Sequence, residues 1–379
     1  MYFDYLSTTP LDERVYEAMS PYWRYKFGNP HSADHTYGQE AADAVKNAQR
    51  QLDQLLPDNI LSGEWIFTSG ATESNNLALK SVANENQPRK TILVSAIEHP
   101  CVLAAAASLE ALGFEVKHLH VTNDGVLDLE ELERQINENV LCVSVMWANN
   151  ETGVIQPIPE ISELCAKHGV IFHTDAAQAA GKIPLSTDSS LFPDLISISG
   201  HKVYGPKGVG ALWIKKGLEK RMTPLIHGGG QQHNLRSGTV PVPLVAALGK
   251  AIEVSFEDME GECKRLQTLR DFFEDHMRAA FPDMHINGAN APRLTHVSHI
   301  QIPHVDAGDL LSALPEIAVS RGSACSSEST EDVSHVLAAM RMEFFAHECL
   351  RISFGRPTSE EDVYTLTNLL IETATMLRN

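Results

Sequence analysis

The sequence predicts an α/β fold with a mainly parallel sheet, helices on both faces and a smaller second domain. Two observations carry this. From residue 64 to residue 214, short β-branched apolar runs alternate with stretches of helical periodicity. Each run also stops at glycine, asparagine or a charged residue, as strand ends do where loops collect along one edge of an open sheet. A chain of 379 residues, 43% hydrophobic and 21% charged, can hold one large α/β unit and a smaller one.

In chain order, residues 12–25 are amphipathic, Phe27-Gly-Asn-Pro-His31-Ser marks a loop, and 39–56 has a polar helical pattern. A strand at 64–68 runs into Ser69-Gly70-Ala71-Thr72-Glu73-Ser74-Asn75-Asn76. Strands are predicted at 91–97, ending at Glu98-His99-Pro100, at 114–121, and at 140–147, ending at Asn149-Asn150-Glu151-Thr152-Gly153. Helices are predicted from 100 to 112, at 128–136 and at 157–168. Residues 170–175 and 194–199 read as two more strands, and 209–214 as another. One or two long helices at 244–281 lead to the second domain, where 296–303 and the run around Arg351 are extended.

The first of the two central runs ends at Asp175, and the second is followed by Ser199-Gly-His-Lys202. On neighbouring strands these place a carboxylate and an amine at the ligand-binding edge. Pyridoxal phosphate (PLP) needs this pair, a lysine to form a Schiff base with its aldehyde and an acid against its ring nitrogen. A strand-end acid and a solvated lysine are the commoner fate of each residue taken singly. The glycine-punctuated Tyr204-Gly-Pro-Lys-Gly208 and Gln178 beside them favour the cofactor. The turn at Gly70 and Thr72 offers unpaired N–H groups to a phosphate, with an ordinary helix cap at Thr72 or Ser69 as the alternative. His227 to Thr239 is a glycine-rich loop with Arg236 and hydroxyls suited to phosphate, or a plain connection. His99 and Asn150 fall on the edge that carries Asp175, where an imidazole can stack on a pyridine ring and relay protons.

A net charge of −19, from 30 basic and 49 acidic residues, argues against nucleic acid or an anionic membrane as the main partner. The N-terminus shows no secretory signal, and no run of about 18 apolar residues occurs, so a cytoplasmic, reducing location is expected. Six cysteines form no CxxC pair, and no metal site is expected. Cys142 and Cys165 read as core residues. Cys325, among small and polar residues, reads as an exposed loop thiol able to ionise and attack. Arg351, inside an apolar strand, must meet an anion, a structural carboxylate or a substrate's.

With these residues in place the chain resembles the cysteine desulfurases of the aminotransferase class V group, of the NifS and IscS type, over nearly its whole length. The motifs that carry the likeness are Phe67-Thr-Ser-Gly-Ala-Thr-Glu-Ser74, Asn149-Asn-Glu151, Ser199-Gly-His-Lys202, Arg236-Ser-Gly-Thr239 and Gly322-Ser-Ala-Cys325. The resemblance implies PLP fold type I, with a seven-stranded, mainly parallel large domain (14–250) and a small α+β domain (1–13 with 251–379). It implies PLP on Lys202, Asp175 at the ring nitrogen, Gln178 at the ring hydroxyl and His99 stacked on the ring. Ala71, Thr72, Ser199 and His201 would bind the phosphate, joined by Thr239 of a second subunit in a homodimer. Asn150 would sit beside cofactor and substrate. Arg351 would hold the carboxylate of L-cysteine, and Cys325 would take its sulfur as a persulfide, releasing L-alanine. A sulfur-acceptor protein, a scaffold for iron–sulfur clusters or a tRNA-thiolation enzyme, is the implied partner. A selenocysteine lyase or a plain class V aminotransferase would share the scaffold. Two departures from the pattern are an end at Asn379, short of the C-terminal extension that housekeeping members use to dock a scaffold, and Arg321 where many relatives carry a small residue.

Overall fold

The computed structural model describes residues 1–57, 62–84, 87–185, 191–321 and 333–378. After α1 (Glu13–Met19), the single turn α2 (Pro21–Arg24) and α3 (Thr36–Leu52), strands and helices alternate. They run β1 (Gly63–Thr68), α4 (Ala71–Val82), β2 (Thr91–Ser95), α5 (Pro100–Ala107), β3 (Glu115–Leu119), α6 (Leu129–Gln135), β4 (Val140–Ser144) and α7 (Ile158–His168). Then β5 (Ile171–Asp175), β6 (Leu195–Ser199) and β7 (Gly210–Lys215) complete a seven-stranded sheet in the order β1-β7-β6-β5-β4-β2-β3. Within it β7 alone runs against its neighbours. The parallel sheet and its strand positions are as the sequence predicts. The region expected as one or two helices is two, α8 (Val242–Phe256) and α9 (Met259–Ala280). The helix expected from 100 to 112 ends at Ala107 and resumes as a 3₁₀ turn, Glu110–Leu112, which Gly113 closes in the left-handed conformation.

Side-chain alternation sets the layers. Trp65, Phe67, Phe172, Ala211 and Trp213 enter one core with Leu52 of α3 and Val245 and Leu248 of α8. Ile66, Ile171, Leu212 and Ile214 enter the opposite core with Leu77 of α4 and Val102 of α5. Each such large apolar side chain contributes roughly 1.5–3 kcal/mol when fully buried. A second sheet, β8 (His285–Ile286), β9 (Val297–Gln301) and β10 (Cys349–Ser353), is antiparallel in the order β10-β9-β8. It shares a separate core with Phe273 of α9, Leu310 of α10 (Ala307–Ala313) and Leu366 of α12 (Glu360–Arg378). The short α11 (His335–Ala339) lies against Ile97 and Met146, on the large sheet's ligand edge. Phe3 belongs to the second core while Leu6 belongs to the first, so the N-terminal segment bridges them.

One buried histidine of the large sheet is paired across strands on both sides. His173 on β5 is bonded at Nδ1 to the Ser144 hydroxyl on β4 (2.8 Å) and at Nε2 to the Ser197 hydroxyl on β6 (3.0 Å). Burial alone pushes its pKa down to about 3. The unfolded chain protonates this imidazole below about pH 6.5 and the folded chain does not, so the stability it confers is complete above that pH and is lost as pH falls toward 3. Denaturant titrations between pH 6.5 and 4 should show unfolding free energy falling with acidity, with His173 responsible for about 1.4 kcal/mol per pH unit. His173→Gln should make that profile shallower by this amount; an unchanged slope would show that His173 charges as readily in the fold as outside it.

Candidate active site

Five crossings from strand to loop meet at the C-terminal edge of the large sheet. The β1 crossing turns at Gly70, whose φ of 153° suits glycine, and opens α4. A Cβ at Gly210 on β7 would lie 2.7 Å from the Gly70 backbone, so the bare backbone of β7 lets this turn settle on the sheet. A side chain at Gly70 would meet nothing within 4 Å, which leaves an open cradle ahead of the N–H groups of Ala71 and Thr72. Glu73 closes the turn by accepting from Ser69 N (2.7 Å) and from Arg236 Nε (2.8 Å). The pairing lowers the Glu73 pKa against the opposing effect of burial.

Next along the edge, His99 follows β2 and caps α5, its Nδ1 accepting from Cys101 N. After β4, Asn149 organises the turn. Its Oδ1 accepts from Glu151 N and Thr152 N (both 2.9 Å), and its Nδ2 donates to Ile97 O (3.0 Å). This presents Asn150, whose buried Oδ1 has no partner among the described residues. Asp175 ends β5 with both oxygens engaged, Oδ1 by Ala177 N (2.9 Å) and Oδ2 by Asn75 Nδ2 (2.7 Å).

Lys202 follows β6 in a 3₁₀ turn, Gly200–Lys202, and its Nζ donates to Leu6 O (2.6 Å) and Ser7 O (2.7 Å). Two residues on, Tyr204 holds a left-handed backbone (φ 61°) fixed by Thr9 Oγ1 on its N–H, Asp12 N on its carbonyl and Arg356 N on its hydroxyl. Gln178 directs its amide by donating to Leu6 O and accepting from Lys182 Nζ, both at 3.0 Å. His201 meets the Thr8 hydroxyl at 3.1 Å. Burial, with Lys202, Lys207 and Lys182 nearby, takes the His201 pKa down to about 4.

These ends enclose one cavity of about 440 Å³. Ala71, Thr72, His99 and Asn150 line it, as do Asp175, Gln178, Ser199, His201 and Lys202. Thr239 is exposed and does not line it, and neither does Arg351. Arg351 is buried on β10, donating through Nη1 to Asn150 O and through Nη2 to Asp4 Oδ1 and Ser7 Oγ, each at 2.7 Å. Its buried Nε has no partner among the described residues. Of the two anions open to it, the structural carboxylate is therefore present, and Ser7 and Asn150 connect it to the cavity. Arg321 is exposed, and Cys325 lies outside the described residues.

The cavity fits PLP. It combines a primary amine, a carboxylate held by two N–H donors and a helix start with an open cradle, at a volume ordinary for a cofactor site. Residues 1–366 match the family described as aminotransferase class V. The chain belongs to the aminotransferase class V family. Its members are PLP-dependent, which accounts for the amine and acid together.

Within the family it is 43% identical to the cysteine desulfurase IscS of Rickettsia peacockii (strain Rustic), an alignment covering the whole of this chain and 92% of that protein. A solved NifS-like protein superposes with a TM-score of 0.88 at 35% identity, covering 99% of both chains. SspA, solved in complex with cysteine, superposes at 0.80 with 34% identity, over 93% of this chain and 98% of that one.

The sequence reading missed Asn75, Ser7 and Cys101. Asn75 stands three residues after Thr72 in a turn already singled out, and helical spacing puts both on one face. Nothing local marks Ser7 or Cys101. Asn75→Ala would leave Asp175 Oδ2 without its donor. The expected result is PLP binding weakened about tenfold, read by cofactor release on dilution, with the fold intact by circular dichroism. Unchanged release would show that Asn75 does not orient the acid.

Proposed function

We propose that this chain is a PLP-dependent cysteine desulfurase that converts L-cysteine to L-alanine and passes the sulfur to Cys325 as a persulfide. The observation that carries the reading is the placement of Lys202 and Asp175 at adjacent strand ends in one cavity, in a chain similar over its full length to IscS proteins. PLP, when bound, supplies the amine-linked electron sink that makes the substrate's Cα proton removable. Asp175, its direction fixed by Asn75 and Ala177 N, would hold the ring nitrogen. Gln178, whose Oε1 accepts from Lys182, would offer an N–H to the ring hydroxyl. Ala71, Thr72, Ser199 and His201 would hold the phosphate, and His99 would stack on the ring.

Lys202 would hold the cofactor, and its Nζ would take the Cα proton of the substrate. Leu6 O and Ser7 O stand ready to accept hydrogen bonds from that amine. The substrate carboxylate is held by Arg351, whose Nε, without a partner among the described residues, supplies a donor while Asp4 and Ser7 steady Nη2. The thiolate of Cys325 attacks the substrate sulfur, so that the C–S bond breaks as an S–S bond forms. The three-carbon remainder takes up one proton at Cβ, regains at Cα the proton held on Lys202 Nζ, and leaves as alanine.

The reading extends to a homodimer. Trp23, Tyr25, Phe27 and Tyr37 are exposed, with the Phe27 and Tyr37 rings 5.7 Å apart, and Thr239 lies outside its own chain's cavity, which supports its reaching a partner's. A sulfur-acceptor protein, for iron–sulfur cluster assembly or tRNA thiolation, takes the persulfide onward. The proposed location is cytoplasmic, where thiols stay reduced; among the described residues no helix is long and apolar enough to cross a membrane.

The purified protein should show PLP absorbance and, with a reductant, release alanine and sulfide from L-cysteine in equal amounts. Cys325→Ser should keep the absorbance and lose sulfide release, and full turnover by that variant would overturn the role given to Cys325. Arg351→Ala should raise KM for cysteine at least about tenfold without shifting the cofactor spectrum, for the loss of a charge-assisted hydrogen bond. A KM equal to wild type would assign the carboxylate to another residue.

A further inference from the structure

A thiol that the reaction does not use sits beside His99. Cys101, in the first turn of α5, lines the same cavity, and its Sγ is 3.0 Å from His99 Nδ1. That Nδ1 accepts the backbone N–H of Cys101 at 3.2 Å, so it carries no proton of its own. The one proton able to lie between Nδ1 and Sγ is therefore the thiol's. On its other side Sγ accepts from Asn75 Nδ2 at 3.3 Å, and the same Nδ2 donates to Asp175 Oδ2 at 2.7 Å. An ionised carboxylate only accepts, so the Asn75 amide has one sense, with its two N–H bonds shared between Asp175 and Cys101. Thr72 makes a further side-chain hydrogen bond to Cys101.

We propose that Cys101 is a positioning residue for His99, its S–H donating to Nδ1 so that the imidazole stays neutral with its N–H at Nε2. The proposal rests on the reading of His99 as the residue stacked on PLP. The groups facing this imidazole are Asp175 on β5, Lys202 after β6, His335 on α11, Cys101 and the neighbouring Glu98. Burial holds the His99 pKa below its ordinary value, with Lys202 and His335 acting in the same sense and Asp175 opposing. Burial and Asp175 push the Cys101 thiol up to about 12, so it is a donor and not a thiolate at neutral pH.

The test is imidazole NMR on ¹⁵N-labelled holoenzyme, with the His99 signals assigned by their loss in His99→Gln. Wild type should show the Nε2–H tautomer with no titration between pH 6 and 8. Cys101→Ala should raise the His99 midpoint by about half to one pH unit, the effect of one lost hydrogen bond. Cys101→Ser, which keeps a donor, should restore wild-type behaviour in whole or part. An unmoved midpoint in Cys101→Ala, or alkylation of wild-type Cys101 by iodoacetamide at pH 7 at the rate of a free thiolate, would overturn the proposal. The PLP band of the same samples reports separately: its absence would remove the cofactor reading while the His99 signals still tested the imidazole–thiol pair.

Discussion

The main chain of residues 1–12 is the part on which the site depends most. Leu6 O receives both Lys202 Nζ and Gln178 Nε2, Ser7 O receives Lys202 Nζ, and Thr9 N donates to His201 O. On its other side Asp4 and Ser7 bind Arg351, and Phe3 exchanges backbone hydrogen bonds with Ala318 and Ser353. A primary amine and a buried guanidinium from two different cores are thus held by one short segment.

The rest of the cavity balances its charges with similar economy. Glu73, the acid nearest the phosphate cradle, is matched by Arg236 and so does not repel an anion. His201 is neutral at pH 7, and Lys202, Lys207 and Asp175 line the cavity with it. Burial strengthens these interactions and raises the cost of any unpaired member, which explains why both oxygens of Asp175 are held by neutral donors.

Much of this was legible in the sequence because it is written locally. A β-branched run that stops at a polar residue fixes a strand and its end together, so Asp175, Lys202, His99 and Asn150 could be placed on one edge before any contact was known. The Gly70 turn announced itself by composition. What escaped was the second partner of each group. Asn75 is separated from Asp175 by 100 residues and Asp4 from Arg351 by 347. Such pairings follow from the order of strands in the sheet, and no periodicity records that order. The reversed direction of β7 was likewise invisible, since an apolar run reads the same in either direction. Cys101 looked like one cysteine among six until the structure set it against an imidazole.

The bridging of the cores by residues 1–12 bears on how this architecture can be taken apart. A fragment stopping after α8 would keep Leu6 and Ser7 but strip Phe3 of the aromatic neighbour it meets edge-on in Phe354. A fragment beginning at α9 would keep Phe354 but leave Arg351 without Asp4. Neither half is a self-sufficient inheritance unit, so grafting or exchanging the smaller lobe among relatives would succeed only if the first dozen residues travelled with it.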